Sequence, residues 1–251
     1  MNKPVTAFVG TLIHSVSFGN LEMIANGAVL HCNGIITEIV DLDKNPNALK
    51  DVSHVCDYKG KLIIPGFVDA HCHAPQYVFT GTGMDLGLLE WLNKYTFPTE
   101  SKFKDEVFAR YAYEKSVKRH LKCGTTCAAY FATLHLNASK VLADVIQASG
   151  QRSLVGKVNM DRNSPDFYIE PTDSGCMETE EFLRYVLNMT TTGSDFLKLV
   201  DADEVTEEDM MSDLSPSRFD SRNSLLNKTN MPRVMPVITP RFVPTCRYIC
   251  I

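Results

Sequence analysis

The sequence has no long apolar run and no cluster of basic residues. A membrane-spanning helix needs roughly 20 consecutive apolar residues, so we expect no membrane partner. The 30 acidic residues outnumber the 25 basic ones, which gives a formal net charge of −5. A nucleic-acid-binding face needs Lys and Arg gathered together, so we expect no nucleic-acid partner either.

The first residues also lack the charged segment followed by an apolar segment that is typical of a secretory signal peptide. Eight cysteines are present at irregular spacings. Without a secretion signal, such cysteines are better interpreted as reduced thiols than as a disulfide framework. We therefore predict a cytosolic protein.

Residues 1–61 are predicted to form a small β-domain, the N-terminal part of a composite β-sandwich. Residues 7–16 and 28–40 are rich in β-branched and apolar side chains, which favours strands. The dipeptides Asn26-Gly27 and Asn33-Gly34 are typical of tight turns.

From residue 62 to residue 251 the pattern changes to strands that alternate with helices, which favours a parallel α/β sheet. The expected strands are 62–70, 124–133, 153–160 and 234–242, and the expected helices are 88–95, 103–121, 139–148 and 178–189. A closed (β/α)₈ barrel takes about 250 residues by itself. We therefore expect a partial TIM-like barrel of about four strands.

Residues 191–232 fit this plan poorly, because an acidic run is followed there by Ser-, Asn- and Arg-rich sequence. So long a stretch without a core pattern is unusual inside a compact domain. We interpret it as a flexible insertion, with a binding loop as the alternative.

The most informative string is PGFVDAHCHA, residues 65–74. Alternate residues of a strand face the same side, so His71 and His73 can present two imidazoles at the carboxyl end of the first barrel strand. Barrel enzymes place their active sites at that end, and neutral imidazoles suit Zn²⁺ or Fe²⁺. Two histidines at this spacing also occur on ordinary surfaces, but the whole string is more specific.

This string resembles the first-strand motif of the metal-dependent amidohydrolase superfamily. Four further segments are similar to guanine deaminases: DLGLLEWLNKYTFPTE (85–100), CGTTCAAYFATLH (123–135), GQRSLVGKVNMD (150–161) and ITPRF (238–242). The resemblance implies a zinc-dependent hydrolase that converts guanine to xanthine and ammonia in purine catabolism. It also implies a homodimer with one zinc ion per site.

The resemblance assigns roles to the residues that follow the first barrel strand. His71 and His73 would be metal ligands. His73, Ala74, Pro75 and Gln76 would line the substrate site, with Gln76 hydrogen-bonded to guanine.

Arg241 and Phe242 are implied to complete the substrate site. Arg241 would reach the carbonyl oxygen of guanine, as its rigid fork of donors allows, and Phe242 would pack near the ring. Without the resemblance, Arg241 would be interpreted as a surface salt-bridge residue and Phe242 as a core residue.

The chain departs from the family beyond its fourth strand. No histidine follows His135, and the family's remaining zinc ligands and its catalytic Glu and Asp lie on later strands. We therefore assign no catalytic residue here, and we expect an incomplete zinc site and a chain that is inactive alone. The alternatives are a non-catalytic isoform or gene-model fragment that associates with full-length subunits, and another aminohydrolase of the same superfamily.

Overall fold

A computed structural model describes residues 4–189 and 232–247. The chain divides into two compact units, Met1–Gly66 and Phe67–Ile251. The expected insertion at 191–232 lies outside the described residues, apart from its last position. In the described part of the chain, no helix has both the length and the apolar character needed to cross a membrane.

The first unit is a four-stranded sheet, which confirms the predicted small β-domain. Its strands are β1 (Thr6–Ser17), β2 (Asn20–Cys32), β3 (Ile35–Asp41) and β4 (His54–Ile63). The order across the sheet is β3-β2-β1-β4, and only the β1–β4 pair is parallel. A buried apolar cluster lies on this sheet: Ala7, Val9, Ala28, Leu30 and Val40.

One of the two predicted turns is correct and the other is wrong. Asn33 and Gly34 join β2 to β3 with positive φ angles of 52° and 79°, as a two-residue hairpin turn requires. Asn26-Gly27 instead lies inside β2. A Cβ at Gly27 would stand 2.5 Å from Leu12 Cγ, so this glycine allows close packing between strands and makes no turn.

The second unit alternates strands and helices, which confirms the predicted α/β class. Its strands are β5 (Phe67–His73), β6 (Thr125–Phe131), β7 (Arg152–Gly156), β8 (Val158–Asn159), β9 (Val234–Pro236) and β10 (Thr239–Pro240). Its helices are α1 (Leu88–Trp91), α2 (Phe97–Glu100), α3 (Glu106–Lys122), α4 (Leu136–Ser149) and α5 (Thr172–Asn188). Strands β5-β6-β7-β9 form one parallel sheet in that order, and β8 pairs with β10 in a second.

The strand expected at 62–70 begins later than predicted. Leu62 and Ile63 belong to β4 of the first unit, and the barrel strand starts at Phe67. Pro65 lies in the break between the two strands; a proline has no N–H to donate to a ladder. The expected third and fourth strands are each split into two short segments.

The main core of the second unit lies between the parallel sheet and helices α3, α4 and α5. Its largest fully buried side chains are Phe103, Tyr113, Tyr130, Leu142, Ile146 and Phe182. This core fixes the strands from one side, so their carboxyl ends are held in register.

Gly156 lies where β7 gives way to β8. A Cβ there would stand 2.3 Å from Thr239 Oγ1 and 2.5 Å from the Val237 carbonyl oxygen. Thr239 Oγ1 also donates a hydrogen bond to the Lys157 carbonyl at 2.7 Å. The absence of a side chain at Gly156 therefore allows the segment that precedes Arg241 to pack closely against the third strand.

Gly156→Ala is expected to lower the free energy of unfolding by about 1–3 kcal/mol, because the added methyl overpacks this contact. Urea denaturation followed by circular dichroism measures the change. Gly87→Ala is the matched control, since its Cβ would meet nothing within 4 Å. Equal stability of the two variants would show that residues 237–239 do not pack on Gly156.

Candidate active site

A cavity of about 600 Å³ opens at the carboxyl end of β5. Six of the seven residues predicted for the site line it: His71, His73, Ala74, Gln76, Arg241 and Phe242. Pro75 is buried in the 3₁₀ turn Ala74–Phe79 and does not line the cavity. The structure thus brings together residues that are separated by about two-thirds of the chain, while their roles stay predictions.

The two imidazoles of the predicted metal site lie side by side. The ring centroids of His71 and His73 are 5.1 Å apart, and the Phe131 ring lies 4.7 Å from each. Phe131 ends β6 and pairs with His73 in the parallel ladder. Phe131 falls within the segment 123–135, but nothing in the sequence indicates this supporting role.

The electrostatic environment keeps His73 neutral. Burial, together with the nearby charges of Arg241 and His71, lowers the pKa of His73 to about 3. Its Nδ1 is buried, with no hydrogen-bond partner among the described residues. A neutral imidazole with an unused lone pair can act as a metal ligand.

The separation of the two rings also fits a shared ion. Two imidazoles bound to one tetrahedral zinc, with Zn–N distances of about 2 Å, have centroids about 5 Å apart. His71 and His73 can therefore hold one divalent metal ion between them.

Arg241 is held by a buried ion pair. Its Nη1 lies 2.5 Å from Glu100 Oε2, which also accepts a hydrogen bond from the Tyr168 hydroxyl at 2.7 Å. The guanidinium lies 5.5 Å from the centroid of the Phe97 ring. The Arg241 backbone N–H donates to the Asn159 carbonyl at 3.2 Å. The side chain and the backbone are thus both fixed at the cavity wall.

Glu100 is a further residue that had not been predicted: it does not line the cavity but holds Arg241, which does. It lies at the end of α2 and is fully buried. Burial raises the pKa of Glu100, while Arg241 and the Tyr168 hydroxyl favour the carboxylate form. The segment 85–100 contains this residue, but nothing in its pattern distinguishes a buried glutamate from an exposed one.

Apolar side chains form another part of the wall. Leu92 is buried, and Trp91 and Phe242 pack partly buried against the same apolar cluster. Trp91 Nε1 donates to the Thr82 carbonyl at 2.9 Å, which fixes the indole. A flat ligand with polar edges would find apolar contacts here and hydrogen-bond donors at Arg241.

Glu100→Gln is expected to lower the free energy of unfolding by roughly 3 kcal/mol, because it leaves the buried Arg241 charge without its counter-ion. Thermal unfolding followed by circular dichroism measures the loss. Glu90→Gln, an exposed position on the same helical segment, should change stability by less than about 0.5 kcal/mol. A Glu100→Gln variant as stable as this control would contradict the ion pair.

Several known proteins are similar to this chain. The profile of the amidohydrolase family matches residues 62–246. A guanine deaminase from Dictyostelium discoideum is 38% identical over 259 residues, covering 98% of this chain and 49% of that protein. One from Mus musculus is 34% identical over 256 residues, covering 95% of this chain and 45% of that protein.

Solved structures of guanine deaminases are also similar to this chain. A guanine deaminase from C. acetobutylicum, with guanine bound in its active site, superposes with a TM-score of 0.71 at 31% identity. The superposition covers 98% of this chain and 48% of that one. The chain therefore spans about half the length of the relatives it matches.

Proposed function

The chain belongs to the amidohydrolase family, and from that membership we propose that it is part of a zinc-dependent guanine deaminase. The observation that carries the proposal is the convergence, in one cavity, of the imidazoles of His71 and His73 with the buried guanidinium of Arg241. The guanine deaminases among its relatives, one of them with guanine bound, support this substrate.

In the proposed reaction, water replaces the exocyclic amino group of guanine, giving xanthine and ammonia as in purine catabolism. His71 and His73 supply two ligands for the zinc ion. When bound, zinc lowers the pKa of a water molecule to about 7. Burial keeps His73 neutral and available as a ligand near neutral pH.

Arg241 is proposed to donate to the carbonyl oxygen of guanine. Glu100 holds one arm of the guanidinium at 2.5 Å, so the fork is oriented before the ligand arrives. A donor that is already in place needs no reorganisation on binding, which strengthens its effect on a developing negative charge.

Gln76 is proposed to hydrogen-bond guanine through its side-chain amide. It lies in the 3₁₀ turn that follows β5, where Ala74 and Pro75 are buried and fix the turn. Phe242, which also lines the cavity, is proposed to pack its ring near the base. The homodimer stays a prediction of the resemblance, and the cytosolic location stays a prediction from the cysteine pattern and the first residues.

Guanine loss and xanthine gain in the presence of zinc test the activity. We expect little or no turnover from these 251 residues alone, because a catalytic zinc usually has three protein ligands and the sequence offers no histidine after His135. Extension through the remaining strands of the family's barrel should restore turnover.

Two results would contradict this account. Zinc-dependent turnover by the 251-residue chain, abolished by His71→Ala, would show that residues of this chain, or of a second copy, complete the metal site. An extended chain that hydrolyses a different purine or a triazine, but not guanine, would show another aminohydrolase of the superfamily.

Gln76→Ala is expected to weaken guanine binding to the zinc-loaded chain by about tenfold, the effect of losing one hydrogen bond worth about 1–1.5 kcal/mol. Isothermal titration calorimetry with guanine measures the change. Gln147→Ala, a glutamine on α4 that does not line the cavity, is the control. Unchanged guanine affinity in Gln76→Ala would remove this residue from the substrate site.

A further inference from the structure

A second group of ligand-type side chains lies beside β5. The donor atoms of Asp69, Cys72 and His120 all lie within 4.8 Å of one another, and each residue is half-buried. His120 Nε2 is 3.9 Å from Asp69 Oδ2. We propose that these three residues bind a second divalent transition-metal ion, of the class that accepts thiolate, imidazole and carboxylate together, as Zn²⁺ does.

A bulge in β5 creates this group. Asp69 pairs with Ala128 of β6, and Cys72 pairs with Tyr130, so three steps on β5 oppose two on β6. In a regular strand Asp69 and Cys72 would face opposite sides, because side chains alternate. The extra residue turns one of these two side chains to the other face of the strand. The carboxylate and the sulfur then both lie near His120 on α3.

Hydrogen bonds fix the tautomer of His120 that metal binding needs. Gln151 Nε2 donates to the Thr125 carbonyl at 2.8 Å, so Gln151 Oε1 faces the Tyr130 hydroxyl, which donates to it at 2.9 Å. The Tyr130 oxygen must then accept from His120 Nδ1–H, at 2.9 Å.

The lone pair of the neutral His120 ring therefore lies on Nε2, the nitrogen near Asp69. Metal-bound histidines commonly have their second nitrogen held in this way, and the partner orients the ring. The hydrogen-bonded chain from Thr125 to His120 is thus a preformed support for a ligand, independent of the distances within the group.

This group is separate from the imidazole pair of the active site. Cys72 packs against the core between the sheet and the helices, whereas His71 and His73 contact the Phe131 ring. Cys72 and His120 border the same cavity as His71 and His73, so an ion and a water molecule can reach them. Coordination would release the thiol proton to solvent and leave a three-ligand site with one open position.

Cobalt(II) is the probe, because a Co²⁺–thiolate bond gives a charge-transfer absorption in the near ultraviolet that imidazole and carboxylate ligands do not. We expect this band in the full chain. It should persist in His71→Ala/His73→Ala, which makes the result independent of the proposed deaminase site. It should be lost in Cys72→Ser and in His120→Gln.

Cys127→Ser is the matched control, since Cys127 is another half-buried thiol, on the neighbouring strand. It should keep the band. Absence of the band from the unmodified chain, or its survival in folded Cys72→Ser or His120→Gln, would overturn the proposal. Loss of the band only in His71→Ala/His73→Ala would also overturn it, by assigning the ion to the active site.

Tyr130→Phe tests the positioning role of the hydroxyl and covers the case in which a ligand variant fails to fold. It removes the acceptor that holds His120 Nδ1–H while the ring remains in the core. We expect Co²⁺ affinity to fall by about 10–100-fold, with the band still present at saturating cobalt. Unchanged affinity in this variant would contradict the tautomer argument on which the site rests.

Discussion

The buried ion pair between Arg241 and Glu100 joins two segments of the candidate active site that are distant in sequence. The residues are 141 positions apart, and both side chains are almost wholly excluded from solvent. Removing two charges from water costs several kcal/mol per ion unless each finds its partner. This cost makes the pair a constraint. The segment after β10 and the helical segment 88–104 have to meet if the charge of Arg241 or that of Glu100 is to be buried. The position of the guanidinium over the cavity follows from that meeting.

The local part of this site could be predicted from sequence. His71 and His73 are two positions apart at the end of an apolar segment, so strand alternation alone places their imidazoles on one side. The parallel sheet was predictable for a different local reason: a chain in which strands alternate with helices has few other arrangements. Arg241 and Phe242 were predictable only through the resemblance, because neither has a local signal that distinguishes a site from a surface or a core.

The remaining parts depend on contacts distant in sequence. Glu100 and Tyr168 are 68 positions apart, and the Tyr168 hydroxyl donates to one carboxylate oxygen of Glu100. No periodic pattern in the sequence indicates this contact. The dipeptide Asn26-Gly27 is typical of turns, whereas the packing of Leu12 decides the role of Gly27. Phe131 supports both imidazoles only because β5 and β6 pair in one register. In each case the tertiary contact outweighs the local preference.

The bulge in β5 also affects the active site. With regular alternation, Asp69 would share a side with His71 and His73 and would offer them a carboxylate. The extra residue instead turns Asp69 towards His120, and its Oδ1 accepts a hydrogen bond from the His71 backbone N–H at 3.2 Å. The nearest acidic residue in sequence is thereby withdrawn from the imidazole pair. An ion held by His71 and His73 therefore needs further ligands from elsewhere than β5, which agrees with an active site built from several strands of a barrel.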